Sequence, residues 1–296
     1  METIILNVIF PIYVLIALGF FAGKIKKELD TEGITFIVLY FLAPALVFSS
    51  FRKLHITAEN FKYIAINGTL TIGGIWLIAL LFSKIFYKRR IPAFELSSSV
   101  MNIGYLGLPL IYVLFGENAL GYAVTYMVFV TLIHFSLAIM ALNPNSLKEG
   151  IIETFKIPLI YAVIFSFFFK DIPLSEGMEK MLKLMGDSTM PLMLITIGIK
   201  LSKIKMEKLH IGISGALLRL VGGTLISFLT VKTFACPELL KKTIFVQSTL
   251  PSAILNFVLC DRFKQDPDIS ASIIFFSTLI SPVWLFIVIK FLLPLI

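Results

Sequence analysis

The sequence predicts an all-α integral membrane protein with ten transmembrane helices, arranged as a five-plus-five inverted-topology repeat with broken helices 4 and 9. Of the 296 residues, 58% are hydrophobic and only 15% are charged, and the mean hydropathy is +0.94. Soluble domains of this size carry far more polar surface. Apolar runs of about 20 residues recur along the whole chain, which is the length that spans a bilayer as a helix.

Ten of these runs are joined by short loops. The predicted spans cover residues 3–23, 34–51, 61–83, 92–115, 118–142, 151–169, 181–201, 209–233, 240–260 and 269–293. The first run lacks the basic start and the small-residue cleavage site of a signal peptide, so it counts as a span. The chain then divides into a first repeat (1–142), a short cytoplasmic linker (143–150) and a second repeat (151–296).

The positive charges set the expected orientation. Loops after the odd-numbered spans carry more Lys and Arg than the opposite side, in the clusters GKIKK, KIFYKRR and KLSKIKMEK. The positive-inside rule makes that side cytoplasmic and places both termini outside a cell membrane. The net charge of +8 is therefore interpreted as membrane orientation, and no nucleic-acid partner is expected.

The two halves of the chain resemble each other. The stretch IILNVIFPIYVLIALGFF in span 1 matches IIETFKIPLIYAVIFSFF in span 6 at an offset of 147 residues. The same offset aligns a proline and a glycine in later spans: Pro44 with Pro191, and Gly68 with Gly215. Because each half has an odd number of spans, the halves enter the membrane in opposite directions, which is a recurrent design of secondary transporters.

Spans 4 and 9 both carry helix-weakening residues near their centres. MNIGYLGLPL lies in span 4 and TIFVQSTLPSAILNFVLC in span 9. Glycine and proline weaken helices, and unwound backbone within a bilayer is tolerated only inside protein or beside a wet cavity. The pattern therefore predicts that both helices break at mid-depth around a shared cavity.

Such breaks predict an anion site. Each second half-helix would begin near its proline, with free amides and the positive dipole end facing the break, which suits a carboxylate. The candidate substrate-binding residues are Asn102, Gly104, Gly107, Pro109, Gln247, Ser248, Thr249, Pro251 and Asn256. The alternative for the glycines and prolines is packing or a kink, and for the hydroxyls a bond to the carbonyl one turn back.

The stretches AFELSSSVM and NIGYLGLPL, with FLAPALVF in span 2 and STLPSAILNFVL in span 9, resemble the auxin efflux carrier family over nearly the whole chain. That family includes plant PIN-formed carriers and prokaryotic carriers of malate and malonate. The resemblance implies export or exchange of small organic anions, by elevator-like movement against a scaffold of spans 1, 2, 6 and 7. A homodimer would form through those scaffold spans. The resemblance also implies that helices 4 and 9 cross each other, and it carries the family's crossover positions onto Asn102, Gly104, Gly107, Pro109 and Pro251.

Two features separate this sequence from related architectures. The long cytoplasmic loop of the plant carriers between spans 5 and 6 is absent, and LNPNSLKEG stands in its place. Bile-acid sodium symporters share a similar architecture and are expected to carry acidic residues in the crossing region. Spans 4 and 9 have no Asp or Glu at mid-depth, which argues against tight sodium binding and leaves a weak site of carbonyl and hydroxyl oxygens as the alternative.

Three ionisable residues lie deep within predicted spans: Asp187, Arg219 and His134. Such residues usually face the protein interior. The depths of Asp187 and Arg219 in adjacent spans suggest that they pair, either as a structural ion pair or as an anion attractor and a proton acceptor. His134 either titrates near neutral pH or hydrogen-bonds to a neighbour.

Three function classes compete: a secondary carrier, an anion channel, and an intramembrane enzyme or receptor. No H-E-x-x-H motif exists, and His55, His134 and His210 lie on different segments, so no catalytic site, metal or cofactor is expected. A channel predicts flux without saturation and without counterflow. The sequence favours the carrier, with a small organic anion and the lipid bilayer as partners.

Overall fold

The structure is a computed structural model that describes residues 5–52, 57–142, 158–169, 172–204 and 208–296. In chain order the helices are α1 (Ile5–Ile25), α2 (Thr31–Ser50), α3 (Ala58–Phe86), α4a (Pro92–Ser99), α4b (Ile103–Phe115), α5 (Glu117–Leu142), α6 (Pro158–Phe168), α7 (Glu176–Lys203), α8 (Leu209–Thr233), α9a (Glu238–Ser248), α9b (Ile254–Arg262) and α10 (Pro267–Leu295). The predicted linker 143–150 and the start of the sixth predicted span lie outside the described residues.

The described residues confirm the prediction of an all-α membrane protein. They contain no β-strand beyond one isolated bridge. Among the described helices, seven are long and apolar enough to cross a membrane: α1, α2, α3, α5, α7, α8 and α10. The chain is therefore a multi-pass membrane protein.

Local sequence signals explain where several helices begin. The Asp30 side chain accepts hydrogen bonds from the amides of Glu32 and Gly33, both at 2.9 Å, and starts α2. Thr57 and Ser175 cap α3 and α7 in the same way. These short polar side chains satisfy amides that have no acceptor within their own helix.

The helices form two groups that later position the site. The first helix group contains α1, α2, α6 and α7, in which α1 packs on α7 and α2 packs on α6 and α7. The second helix group contains α3, α5, α8 and α10, packed around the broken helices α4a–α4b and α9a–α9b. The two groups meet where α7 contacts α4b and where α2 contacts α5.

Glycine allows the closest contact in the first helix group. A Cβ atom on Gly198 of α7 would overlap the Ile16 carbonyl oxygen and lie 2.6 Å from the Phe20 amide nitrogen of α1. A Cβ atom on Gly19 would overlap the Ile195 carbonyl in the same way. The backbones of α1 and α7 therefore touch directly, as small residues permit between membrane helices.

The fourth predicted span is interrupted, but not at the predicted residues. Helix α4a ends at Ser99, and the extended segment Val100–Asn102 precedes α4b. Gly104 and Pro109, placed in the break by the sequence prediction, lie inside α4b. The first turn of α4b is a π-turn, Ile103–Gly107, and Pro109 is the second residue of the α-helical part that follows it.

The ninth predicted span is interrupted at its predicted proline. Helix α9a ends at Ser248, the next five residues are non-helical, and α9b begins at Ile254. Pro251 lies within this interruption. Pro109 is thus not a helix breaker in this fold, whereas Pro251 lies at the break.

Candidate functional site

The two interruptions pair with each other. Met101 and Ser252 form an isolated antiparallel bridge. The Asn102 amide donates to the Pro251 carbonyl at 2.8 Å, and the Ala253 amide donates to the Val100 carbonyl at 3.0 Å. We call these paired segments, Val100–Asn102 and Pro251–Ala253, the junction. The ends of all four half-helices lie beside it.

Side chains add further hydrogen bonds at the junction. The Ser252 hydroxyl donates to the Ser97 carbonyl at 2.7 Å, and the Ser252 amide donates to the Ser277 hydroxyl at 3.1 Å. The Asn256 side-chain amide donates to the Val100 carbonyl at 3.2 Å. Ser252 was missed by the sequence prediction, although a small polar residue directly after the break proline was a usable signal.

Arg219 of α8 joins the ends of two half-helices. The side chain is fully buried, and its guanidinium donates to the carbonyl of Ser99, at the end of α4a, and to that of Ser248, at the end of α9a. The carbonyl end of a helix is the negative end of its dipole and lacks intrahelical partners. The guanidinium therefore neutralises both negative ends at once.

The predicted pairing of Asp187 with Arg219 is wrong. Asp187 is exposed on α7 and lines a cavity between the two helix groups. Arg219 instead binds the carbonyls at the junction. Similar depth along neighbouring spans did not determine which face of each helix carries the charge. The proton role proposed for Asp187 through Arg219 loses its geometric basis.

A buried polar network lies behind Ser248. Its hydroxyl oxygen lies 2.7 Å from the Tyr126 hydroxyl oxygen, and each of these two oxygens lies 3.1 Å from the Asn67 side-chain oxygen. The Asn67 amide nitrogen donates in turn to Thr230 at 2.6 Å and to Ser227 at 3.1 Å. Ser248 therefore has a structural role in this network, and the sequence prediction missed Asn67 and Tyr126.

Thr249 also uses its side chain locally. Its hydroxyl donates to the Val246 carbonyl at 2.8 Å, within the last turn of α9a. A bond to the backbone of the same helix is the alternative to a ligand contact that the sequence left open for this hydroxyl.

One buried polar side chain beside the junction has no partner among the described residues: both side-chain polar atoms of Gln247 are unpaired. The His134 side chain instead interacts with the Asn256 side chain. The Gln247 amide faces α4b, because a Cβ atom on Gly107 would come within 3.3 Å of its nitrogen. Buried polar groups are almost always hydrogen-bonded, so this amide is suited to a polar ligand.

A cavity of about 700 Å³ separates the two helix groups at one end of the molecule. Tyr112 and Glu117 line it from the second group, and Asp187 and Met190 of α7 line it from the first. Lys183 of α7 contacts the Glu117 carboxylate across it, with 3.5 Å between the charged atoms. Gln247, Asn102 and Asn256 do not line this cavity and are buried.

An ion pair fixes the start of α4a. The Arg90 guanidinium donates twice to the Glu95 carboxylate, at 3.2 and 2.7 Å, and Glu95 is fully buried. The hydrogen bond that Arg90 donates to Glu95 raises the pKa of Arg90 above its ordinary value. Glu95 thus has a structural partner outside the junction.

Apolar helices of membrane length, packed around two interrupted helices with a buried polar centre, define an integral membrane protein of the transporter class. Residues 4–289 match the family described as membrane transport protein. The chain belongs to this family, that of the auxin efflux carriers, as the sequence resemblance indicated.

Two archaeal relatives agree with this assignment. The chain is 24% identical over 293 residues to an uncharacterized transporter of Methanocaldococcus jannaschii, covering 93% of this chain and 95% of that protein. It is also 24% identical over 298 residues to an uncharacterized transporter of Methanothermobacter thermautotrophicus, covering 93% and 96%. The protein is a membrane transporter rather than an enzyme.

Proposed function

We propose that the protein is a secondary transporter of small organic anions, specifically carboxylates, across the cell membrane. In this proposal the chain has ten spans in two inverted repeats and both termini outside the cell. The substrate binds at the junction, where the fourth and ninth spans cross. The second helix group then moves like an elevator against the first, which also forms the contact of a homodimer.

The electrostatic balance of the junction supports an anionic substrate. Arg219 neutralises the carbonyl ends of α4a and α9a, so the amide ends of α4b and α9b are left with their positive partial charge. In their first turns, the Ile103 and Asn256 amides donate to the Met101 and Ala253 carbonyls, and the other amides have no acceptor within their own helices. No Asp or Glu occurs between residues 96 and 115 or between residues 239 and 260. A carboxylate complements this set of donors.

The pairing at the junction supports the inverted repeat. The bond from Asn102 to Pro251 and the bond from Ala253 to Val100 are equivalent if the two halves exchange places. An antiparallel pair has this local two-fold symmetry. The symmetry is what two halves of opposite orientation would produce where their broken helices meet.

The cavity supports alternating access. It opens beside the starts of α5 and α7, which the charge distribution predicts to be extracellular. On the opposite side of the junction, Lys200 of α7 lies over the Tyr105 ring of α4b, with 5.4 Å between its nitrogen and the ring centroid. Sliding of the second group along α2 and α7 would carry the junction from one side to the other.

Counterflow distinguishes this proposal from its alternatives. Proteoliposomes loaded with unlabelled dicarboxylate are expected to accumulate labelled dicarboxylate transiently, with saturable initial rates. Linear flux without counterflow would instead identify an anion channel. Uptake that requires a sodium gradient would identify a sodium-coupled symporter of the bile-acid type.

Replacement of Gln247 with leucine is expected to impair transport without destabilising the fold. The Gln247 amide has no protein partner among the described residues, so leucine leaves no group newly unpaired. A lost hydrogen bond to a charged carboxylate is worth about 1.5–3 kcal/mol, so KM should rise by roughly 10-fold or more. KM is measured from initial uptake rates, and stability from the thermal midpoint.

Ser136→Ala is the matched control, because the Ser136 hydroxyl is exposed and donates only to the Leu132 carbonyl of its own helix at 2.9 Å. Its KM should match that of the unmodified protein. An unchanged KM for Gln247→Leu would place the substrate elsewhere.

A further inference from the structure

We propose that the Arg219 guanidinium is a resident cation at the junction, in the place where a cation-coupled carrier would hold a metal ion. The junction of this protein therefore needs no bound sodium. The consequence for transport rests on the proposed function. The contacts of Arg219 with the Ser99 and Ser248 carbonyls do not depend on which substrate is carried.

The carbonyl groups bound by Arg219 are the type that coordinate ions in broken-helix transporters. Carbonyl ends of half-helices and unwound backbone commonly hold the coupling cation. Here the Ser99 and Ser248 carbonyls occupy those positions on α4a and α9a, and Arg219 donates to both. Each helix end carries roughly half a negative charge, so one guanidinium balances the pair.

The surroundings of Arg219 are built to hold its planar group. A Cβ atom on Gly223, one turn further along α8, would overlap the guanidinium and lie 2.7 Å from the Ser248 carbonyl oxygen. A guanidinium presents a rigid fork of donors and stays charged, whereas a lysine ammonium is a single point donor. The two carbonyls come from different helices, and this fork joins them.

The hydroxyl groups at the end of α9a are already hydrogen-bonded, and Gln247 keeps a side-chain oxygen beside them that has no partner among the described residues. The Ser248 hydroxyl contacts Tyr126 and Asn67, and the Thr249 hydroxyl donates to its own helix. Residues 96–115 and 239–260 supply no carboxylate. The permanent charge of Arg219 is the cation that this carbonyl pair retains.

The test uses thermal midpoints of the full-length protein in detergent, with no substrate present. At equal ionic strength, sodium, potassium and choline chlorides should give the unmodified protein the same midpoint. Arg219→Ala should melt several degrees lower, and guanidinium ion at low concentration should restore part of that loss in a saturable way. Lys232→Ala, which removes an exposed cation from the same helix, should show no guanidinium effect.

A sodium-selective rise in the midpoint of the unmodified protein would overturn the inference. So would a folded Arg219→Ala variant that guanidinium leaves unchanged. If Arg219→Ala does not fold, the measurement on the unmodified protein still decides. Because neither arm needs a substrate, failed dicarboxylate counterflow would count against the proposed function alone.

Discussion

Gly223→Ala is expected to lower the free energy of unfolding by about 3–5 kcal/mol, the cost of breaking a buried charged contact. The added Cβ would overlap the Arg219 guanidinium and crowd the Ser248 carbonyl at 2.7 Å. The guanidinium must then leave at least one carbonyl, which leaves a buried charge and an unpaired acceptor. Unfolding by titration with a denaturing detergent measures the change.

Gly73→Ala on α3 is the control for this prediction. Gly73 also lies within a membrane helix, but nothing lies within 4 Å of the position that its Cβ would take. Alanine there should be neutral or stabilise by up to about 1 kcal/mol, because it favours the helix over the unfolded chain. Equal stability of the Gly223→Ala and Gly73→Ala variants would contradict the role assigned to Arg219.

Gly198→Ala is expected to cost about 3 kcal/mol, at the upper end of overpacking effects. Its Cβ would overlap the Ile16 carbonyl and lie 2.6 Å from the Phe20 nitrogen. These are backbone atoms of α1, so no change of side-chain rotamer can make room. The two helices must separate, and the contact between α1 and α7 weakens.

Gly177→Ala on the same helix provides the comparison. Gly177 lies in the first turn of α7 with open space around its Cβ position, so alanine should not destabilise the protein. If Gly198→Ala unfolds at the same denaturant concentration as Gly177→Ala, the direct backbone contact of α1 and α7 is wrong.

Sequence patterns predicted that the fourth and ninth spans are interrupted, but they located the interruption correctly only in the ninth. Pro251 and the polar residues around it indicated an interrupted helix, and the structure has the interruption there. In the fourth span the glycines and Pro109 pointed to a break several residues too late. The extended segment begins at Val100 because its partner is Pro251–Ala253, and that pairing is a tertiary contact.

The role of Arg219 could not be derived from sequence. A buried arginine in an apolar span predicts an interior partner, and a carboxylate such as Asp187 was the natural expectation. Its partners are instead two backbone carbonyls, which every residue carries and no pattern marks. The sequence shows a glycine at position 223, but it does not show that this glycine makes room for the Arg219 guanidinium.

An experimental structure of the protein with a transported dicarboxylate bound would locate the substrate. We expect a carboxylate at the junction, within hydrogen-bonding distance of the first-turn amides of α4b or α9b and of the Gln247 side chain. A carboxylate bound only in the outer cavity, beside Lys183 and away from Gln247, would contradict this expectation.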